Sequence, residues 1–238
     1  MTSKNLVKIE TERLQQFIDN YFSGKSSIRV LEAGCGALTH IRLPSDAYVV
    51  GIDISREQLE RTEKLDEAIH GDIQTYDLPE SSFDMIICWN VLEHVKRPQE
   101  ALKRFHKGLK KGGIVVITAP NPLSTKGVVT KLTPYSFHLW FYRTIRGWKE
   151  AGRNGNPPFP TYLKLSASPR AIRKFASSYS MSVVYERIFG YGDSRDVVGY
   201  KKGYVTAVVK LLNALLWIFS LGTVKPSLCQ FIMVLRKE

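Results

Sequence analysis

Along the first 120 residues, short apolar runs alternate with stretches of helical period. In TERLQQFIDNYF the apolar residues Leu14, Phe17, Ile18 and Tyr21 recur at three- and four-residue steps, which predicts a helix. IRVLEAG and AYVVGIDIS are β-branched runs and predict two strands, and REQLERTEKLDEAIH reads as one helix with alternating charges on its solvent face. FDMIICWN is continuously apolar, the mark of a strand covered on both faces. RPQEALKRFHKGLKKGG predicts a helix that starts near Pro98 and stops at its glycines, and GIVVITAPN predicts another buried strand. Strands alternating with helices, each strand apolar on both faces, specify an α/β fold with a parallel sheet between helical layers. Such sheets bind ligands beyond the carboxyl ends of their strands, here Glu32 to Gly36, Asp53, the region of Asp72, and Asn90.

Beyond Pro120 the alternation breaks. An aromatic helical stretch, PYSFHLWFYRTIRGW, leads into a Gly/Pro loop, GRNGNPPFP. Order resumes at SPRAIRKFASSY, with Ser168 as N-cap and Pro169 as the first helical residue. MSVVYERIFG and SLCQFIMVLRK predict two late strands, separated by the helix-forming GYVTAVVKLLNALLWIFSLG. One domain over 1–238 is expected. Its cofactor-binding half is 1–121, and the insertions at 122–167 and 193–226 form a lid or a membrane-contacting cap.

Charge sharpens this division. Residues 1–120 carry 16 Lys/Arg against 17 Asp/Glu, whereas residues 121–238 carry 18 against 5 and hold 18 of the 26 aromatic residues. A near-neutral half joined to a basic, aromatic half implies an acidic partner surface, nucleic acid or anionic lipid. The N-terminal residues lack an apolar segment of signal-peptide length, so a cytoplasmic protein is expected. Cys35, Cys88 and Cys229 read as reduced, buried thiols. No cluster of His, Asp or Glu has ligand spacing, and no metal is expected.

The stretch RVLEAGCGALTH carries the candidate chemistry. A dinucleotide loop would place a third glycine where Thr39 stands, and a triphosphate loop would need a Lys-Ser/Thr pair that is missing. What remains is E-x-G-x-G. Gly34 and Gly36 allow a tight backbone turn, and Glu32 repels phosphate but attracts a cation. Asp53 ends the next strand, where a carboxylate can accept two hydrogen bonds from ribose hydroxyls; a helix cap is the plainer use.

VLEAGCG, VVGIDIS, GDIQTYDLPESSFDMIICWNVLEHV and LKKGGIVVITAPN, in this order and spacing, resemble the class I S-adenosylmethionine-dependent methyltransferases over about residues 28 to 121. The variety resembled is the small-molecule and lipid-quinone O-methyltransferases. The resemblance implies a doubly wound, mostly parallel, seven-stranded Rossmann-like sheet and S-adenosylmethionine as cofactor. It places Gly34 and Gly36 against the methionine part, Glu32 near its amino group and Asp53 on the ribose hydroxyls. Ile54 packs on the adenine, Asp72 lies near the adenine amino group, and Ile73 covers the other face of the ring. Asn90 faces the methionyl segment and the incoming substrate. Only about six residues remain for a first crossover helix before Pro44. Asp84, also frequent in the family, is expected to be structural.

A hydroxyl acceptor needs a base, and His94 and His138 are the candidates, with His94 preferred. NPPF at 156–159 copies a tetrapeptide of amino-methylating enzymes but lies outside the fourth strand end, so it is set aside. In 204–222, Thr206, Lys210, Asn213, Trp217 and Ser220 form a narrow polar stripe. Val205, Val208, Val209, Leu212, Leu216 and Phe219 form a broad apolar face. An interfacial helix flanked by Lys201, Lys202 and Lys225 fits this pattern better than a transmembrane span, and the helix near 134–148 has the same chemistry. A lid over the active site and a dimer surface are the other uses. The expected activity is methyl transfer to a hydrophobic small molecule or lipid at the inner face of a membrane. The alternatives are RNA or protein methylation, or a scaffold with a vestigial site. Nucleic acid is not expected, because it has no use for six aliphatic residues on one helix face.

Overall fold

A computed structural model of the protein describes residues 3–36, 40–62, 65–153, 156–190, 203–222 and 227–238. Thr39, Lys201, Lys202 and Lys225 therefore lie outside the described residues. Seven strands form one sheet: β1 (Arg29–Ala33), β2 (Tyr48–Asp53), β3 (Glu67–His70), β4 (Phe83–Trp89), β5 (Leu109–Pro120), β6 (Met181–Phe189) and β7 (Gln230–Lys237). Their spatial order is 3-2-1-4-5-7-6. The first five strands run parallel, and β7 lies antiparallel to both β5 and β6. This is the doubly wound, seven-stranded sheet expected.

Buried strand residues alternate between two cores. Leu31, Ile86, Cys88, Val115 and Ile117 belong to one, which α3 (Pro98–Gly108) and α6 (Pro169–Ser178) close with Leu102, Phe105, Ile172 and Phe175. Val30, Met85, Ile87 and Val116 belong to the other, where α1 (Ser3–Tyr21) contributes Leu14 and Ile18. The sheet is thus covered on both faces, which is why its strands read as unbroken apolar runs. Asp84, at the start of β4, accepts from the Arg29 amide and the Lys110 ammonium. It is a structural residue, as expected.

Two element boundaries differ from the sequence reading. The charged run after Asp53 is not one helix. α2 (Arg56–Arg61) stops at Thr62, and Glu67–His70 forms the edge strand β3. β3 pairs on one side only and half-buries only Ile69, so it has neither an apolar run nor a clear alternation. LKKGG is likewise not helical: α3 ends at Gly108, and buried Leu109 opens β5. Among the described residues between β1 and β2 there is no helix.

The insertion after β5 holds α4 (Thr125–Leu132), α5 (Tyr135–Trp140) and a π-helical turn over Phe141–Ile145. Ser168 caps α6 by accepting from the Ala171 amide, with Pro169 as the first helical residue. The late insertion contains α7 (Gly203–Phe219).

Candidate functional site

β1 ends in a glycine turn. Gly34 has φ +73°, and its amide donates to the Ile52 carbonyl at 2.7 Å, which folds the loop back onto β2. A Cβ on Gly34 would stand 2.5 Å from a methyl of Val91, so the turn is wedged under the segment that follows β4. Gly36, with φ +52°, sends its amide 3.2 Å to Asp53 Oδ2. Asp53 Oδ1 accepts from the Ser55 amide at 2.8 Å, and Ser55 caps α2. Asp53 therefore clamps the glycine loop to the start of α2. Each of its two oxygens still has capacity to accept a further hydrogen bond. Ile54 beside it is 71% exposed, an apolar plate at the mouth of the site.

Glu32 is buried one residue before the end of β1. Its Oε1 has no hydrogen-bond partner, and burial alone pushes its carboxyl up to about 7. An orphaned carboxyl beside a glycine turn is suited to a cationic donor from a ligand.

Asp72 and Ile73 lie just past the carboxyl end of β3, where the Gly71 amide donates to the Asp53 carbonyl at 2.9 Å. The Asp72 carboxylate closes on Gln74, accepting from its amide at 2.8 Å and from its side-chain Nε2 at 3.0 Å. Gln74 in turn accepts from the Arg97 amide at 2.8 Å. Ile73 is buried in the core cluster with Leu31, Ile52 and Leu78.

Asn90 takes φ +53° at the end of β4. Its amide donates to the Thr118 carbonyl at 2.9 Å, while its Oδ1 accepts from Gln230 Nε2 at 2.8 Å and from Thr118 Oγ1 at 3.3 Å. The strained turn is thus held from β5 and β7, and Asn90 itself is exposed. Sequence reasoning missed Thr118 and Gln230. Gln230 lies 140 residues from Asn90, and no local signal links the two.

Leu92–His94 forms a single 3-10 turn. His94 Nδ1 lies 2.8 Å from the Pro160 carbonyl, which can only accept, so the proton sits on Nδ1 and Nε2 carries the lone pair. Phe159 stands edge-on to the ring at 6.0 Å, and burial lowers the imidazole below its ordinary range. The amides of Tyr162 and Leu163 donate to the Glu93 carbonyl. The segment 157–164 is therefore a strap across the turn, and NPPF, although outside β4, ends against its histidine. His138 is elsewhere: its Nε2 lies 2.6 Å from Thr133 Oγ1, whose hydroxyl donates to the Val129 carbonyl. His138 ties α5 to the end of α4. The Glu93 side chain, also missed from sequence, is buried beside His94.

α4, α5, the strap and α7 frame the far side. Thr125 of α4 hydrogen-bonds Asn213 of α7, and the Tyr135 hydroxyl of α5 donates to the Pro158 carbonyl of the strap at 2.8 Å. Contrary to the sequence reading, Asn213 turns toward the protein together with half-buried Leu216 and Ser220. The exposed side of α7 is formed by Lys210, Leu211, Leu212, Leu215, Trp217, Ile218 and Phe219. Leu132, Phe137, Trp140 and Trp148 are exposed on the neighbouring insertion, with Lys131, Arg146, Lys149, Arg153 and Lys164 exposed among them. Among the described residues no helix is long and apolar enough to cross a membrane, and no group of three or more His, Cys, Asp or Glu could hold a metal ion. All three cysteines are buried.

A profile of the methyltransferase-domain family matches residues 31–117. A ubiquinone biosynthesis O-methyltransferase of Idiomarina loihiensis is 33% identical over 128 residues, which cover 50% of this chain and 52% of that protein. An uncharacterized methyltransferase of Mycobacterium tuberculosis is 33% identical over 164 residues, covering 60% of this chain and 76% of that protein. The chain spans about half the length, or less, of the first curated relatives it matches. A solved S-adenosylmethionine-dependent methyltransferase from Archaeoglobus fulgidus shares the fold with a TM-score of 0.51 at 19% identity, over 97% of this chain and 94% of that one.

Proposed function

The chain belongs to the class I S-adenosylmethionine-dependent methyltransferases, and from that premise we propose that it methylates a hydrophobic small molecule, a quinone or isoprenoid precursor or a lipophilic metabolite, at an anionic membrane surface. The observation that carries the finer reading is the exposed apolar side of α7, joined through α4, α5 and the strap to the His94 turn. Such a surface, ringed by cations, suits the boundary between acyl chains and anionic headgroups. The relative named for ubiquinone biosynthesis supports a lipophilic acceptor.

The residues at the strand ends fit the cofactor. Glu32 has an unpartnered oxygen for an ammonium group, and the Gly34 turn has no room for a side chain. When bound, S-adenosylmethionine supplies a methyl group already activated on a sulfonium. Gly34 and Gly36 would let the loop backbone approach it, Asp53 would hold its ribose hydroxyls and Ile54 would cover its adenine. Asn90 Nδ2 would orient the methionyl end and the acceptor. His94, with its lone pair on Nε2, would take the proton of a hydroxyl acceptor. Alignment and proton removal are the protein's whole task, because the methyl needs no further activation.

Glu32 gives this assignment a pH signature. Its carboxyl, raised to about 7, is neutral below that pH and attracts an ammonium group only once ionised. Calorimetric affinity for S-adenosylmethionine is expected to rise between about pH 6 and 8. In Glu32→Gln the rise should vanish, with affinity at pH 8 weaker by about 1.5–3 kcal/mol. A wild-type affinity that is flat over this range would remove Glu32 from the ammonium site.

The acceptor reading is tested with phosphatidylglycerol vesicles and methyl-labelled S-adenosylmethionine. The protein is expected to sediment with the vesicles and to place label in products extracted into organic solvent when lipophilic phenols are included. Label entering only RNA, protein or water-soluble acceptors would replace this reading. Cofactor binding with no turnover on any acceptor would favour a scaffold.

A further inference from the structure

Glu93 has a role the scheme above does not use. Its side chain is 5% exposed, and its Oε2 makes no hydrogen bond. A buried carboxyl with one oxygen left without a hydrogen bond costs stability that leucine would spare. The immediate neighbour is His94, whose Nε2 lies 4.0 Å from Glu93 Oε1. The strap fixes both residues, through His94 Nδ1 to the Pro160 carbonyl and through the Tyr162 and Leu163 amides to the Glu93 carbonyl. We propose that Glu93 is the positioning residue that makes His94 a base: once ionised, its carboxylate supplies the counter-charge for the imidazolium formed when His94 takes a proton from a hydroxyl acceptor.

The chemistry balances. The acceptor O–H bond breaks, its proton goes to His94 Nε2, and its electron pair forms the O–CH3 bond. The pair that bound the methyl group remains on sulfur, and the proton leaves from the exposed edge of the imidazole to water. An imidazolium buried here is unfavourable without an adjacent carboxylate. With a neutral Glu93 the site would hold an unpaired cation after transfer.

Several groups face the pair. From α4, the Lys126 charge favours the carboxylate. From β4 comes the Cys88 thiol, which burial keeps protonated. The strap turns the Pro160 carbonyl, two backbone amides and the Phe159 ring toward the pair. Burial outweighs the hydrogen bond from the Glu93 backbone amide and the Lys126 charge and pushes Glu93 up to about 8, whereas burial lowers His94. The competent form, with Glu93 ionised and His94 neutral, therefore accumulates as pH rises through about 8.

The inference rests on the methyl-transfer reading above and adds a hydroxyl acceptor to it. Its deciding test needs no acceptor. The His94 Cε1–Hε1 resonance is followed by NMR in the full chain from about pH 5 to 10, assigned by comparison with His94→Gln. Two inflections are expected, one below 6.5 from the ring itself and one near 8 from Glu93. Glu93→Gln should lose only the upper one, and Glu93→Asp should keep an upper inflection. A single inflection in the wild type, or an upper inflection that survives Glu93→Gln, overturns the pairing.

The second arm uses 4-dodecylphenol in phosphatidylglycerol vesicles, a probe whose own hydroxyl titrates near about pH 10. Wild-type kcat/KM is expected to rise through about pH 8, and Glu93→Gln to be flat there and about tenfold or more slower at pH 9. Equal rates and equal pH profiles in the two proteins also overturn the proposal. Two NMR inflections with S-adenosylmethionine bound and no methyl transfer to the probe would overturn the hydroxyl-acceptor reading alone, because the resonance has already decided the pairing.

Discussion

Gly34→Ala is expected to abolish binding of S-adenosylmethionine at micromolar concentration and to destabilise the fold by about 2–5 kcal/mol. Two penalties combine at this position. At φ +73° a residue with a Cβ costs about 1–2 kcal/mol relative to glycine. The new methyl would also stand 2.5 and 2.7 Å from the two Val91 methyl groups, and this overpacking costs about 1–3 kcal/mol. Val91 cannot withdraw without moving its neighbours, because buried Leu92 and the strap-bound Glu93 and His94 follow it directly. Relief must come from the loop, by breaking the Gly34 amide bond to Ile52 and shifting the Gly36 amide off Asp53. Those contacts shape the floor of the proposed cofactor site. Gly36→Ala provides the control: its φ is also positive, but the nearest atom to a new Cβ is Gln58 Oε1 at 3.9 Å, so strain is added without a clash. Denaturant unfolding and calorimetry on both variants check the order. Wild-type affinity in Gly34→Ala would mean that the turn does not contact the cofactor.

The sequence shows the half of the site that follows from local rules. Parallel strands buried on both faces leave apolar runs, and the residues that end them, Gly34, Gly36, Asp53 and Asn90, are read directly from where each run stops. β3 escapes because an edge strand with one half-buried residue carries no periodic signal, and Glu67 and Ala68 suit a helix equally well. At the end of β3, Gln74 donates to the Asp72 carboxylate and the core takes the Ile73 side chain. Gln230 and Glu93 are invisible for another reason. Gln230 meets Asn90 only because β7 enters antiparallel between β5 and β6, with its first residue beside Pro120. Glu93 looks like an ordinary charged helix residue until the strap closes over it. Long-range topology, rather than motif, completes this site.

The α7 surface separates a membrane contact from an ordinary lid, and the expected result is large. Leu215→Glu, Ile218→Glu and Phe219→Glu together should eliminate sedimentation with phosphatidylglycerol vesicles while leaving unfolding free energy unchanged within about 0.5 kcal/mol. The three side chains are 38%, 57% and 82% exposed, so the folded protein gains little from them. In a bilayer interface each would bury apolar area worth about 1–2 kcal/mol, and three carboxylates would add repulsion from anionic lipid. The combined loss, about 3–6 kcal/mol, corresponds to a reduction in partitioning of about a hundredfold or more. Asn213, which holds α7 to Thr125 of α4, is untouched in this variant, so the helix keeps its seat and cofactor affinity should not change. Salt gives an independent check. Lys131, Arg146, Lys149, Arg153, Lys164 and Lys210 are exposed on the same insertions, and binding supported by these cations should weaken as ionic strength rises. A lid would behave differently, because polar substitution on its outer side would leave vesicle sedimentation where it began. A dimer surface would reveal itself by a change in mass, with the triple variant lighter in solution than the wild type. Sedimentation of the triple variant equal to wild type would therefore remove the membrane from the proposed function while leaving methyl transfer in place.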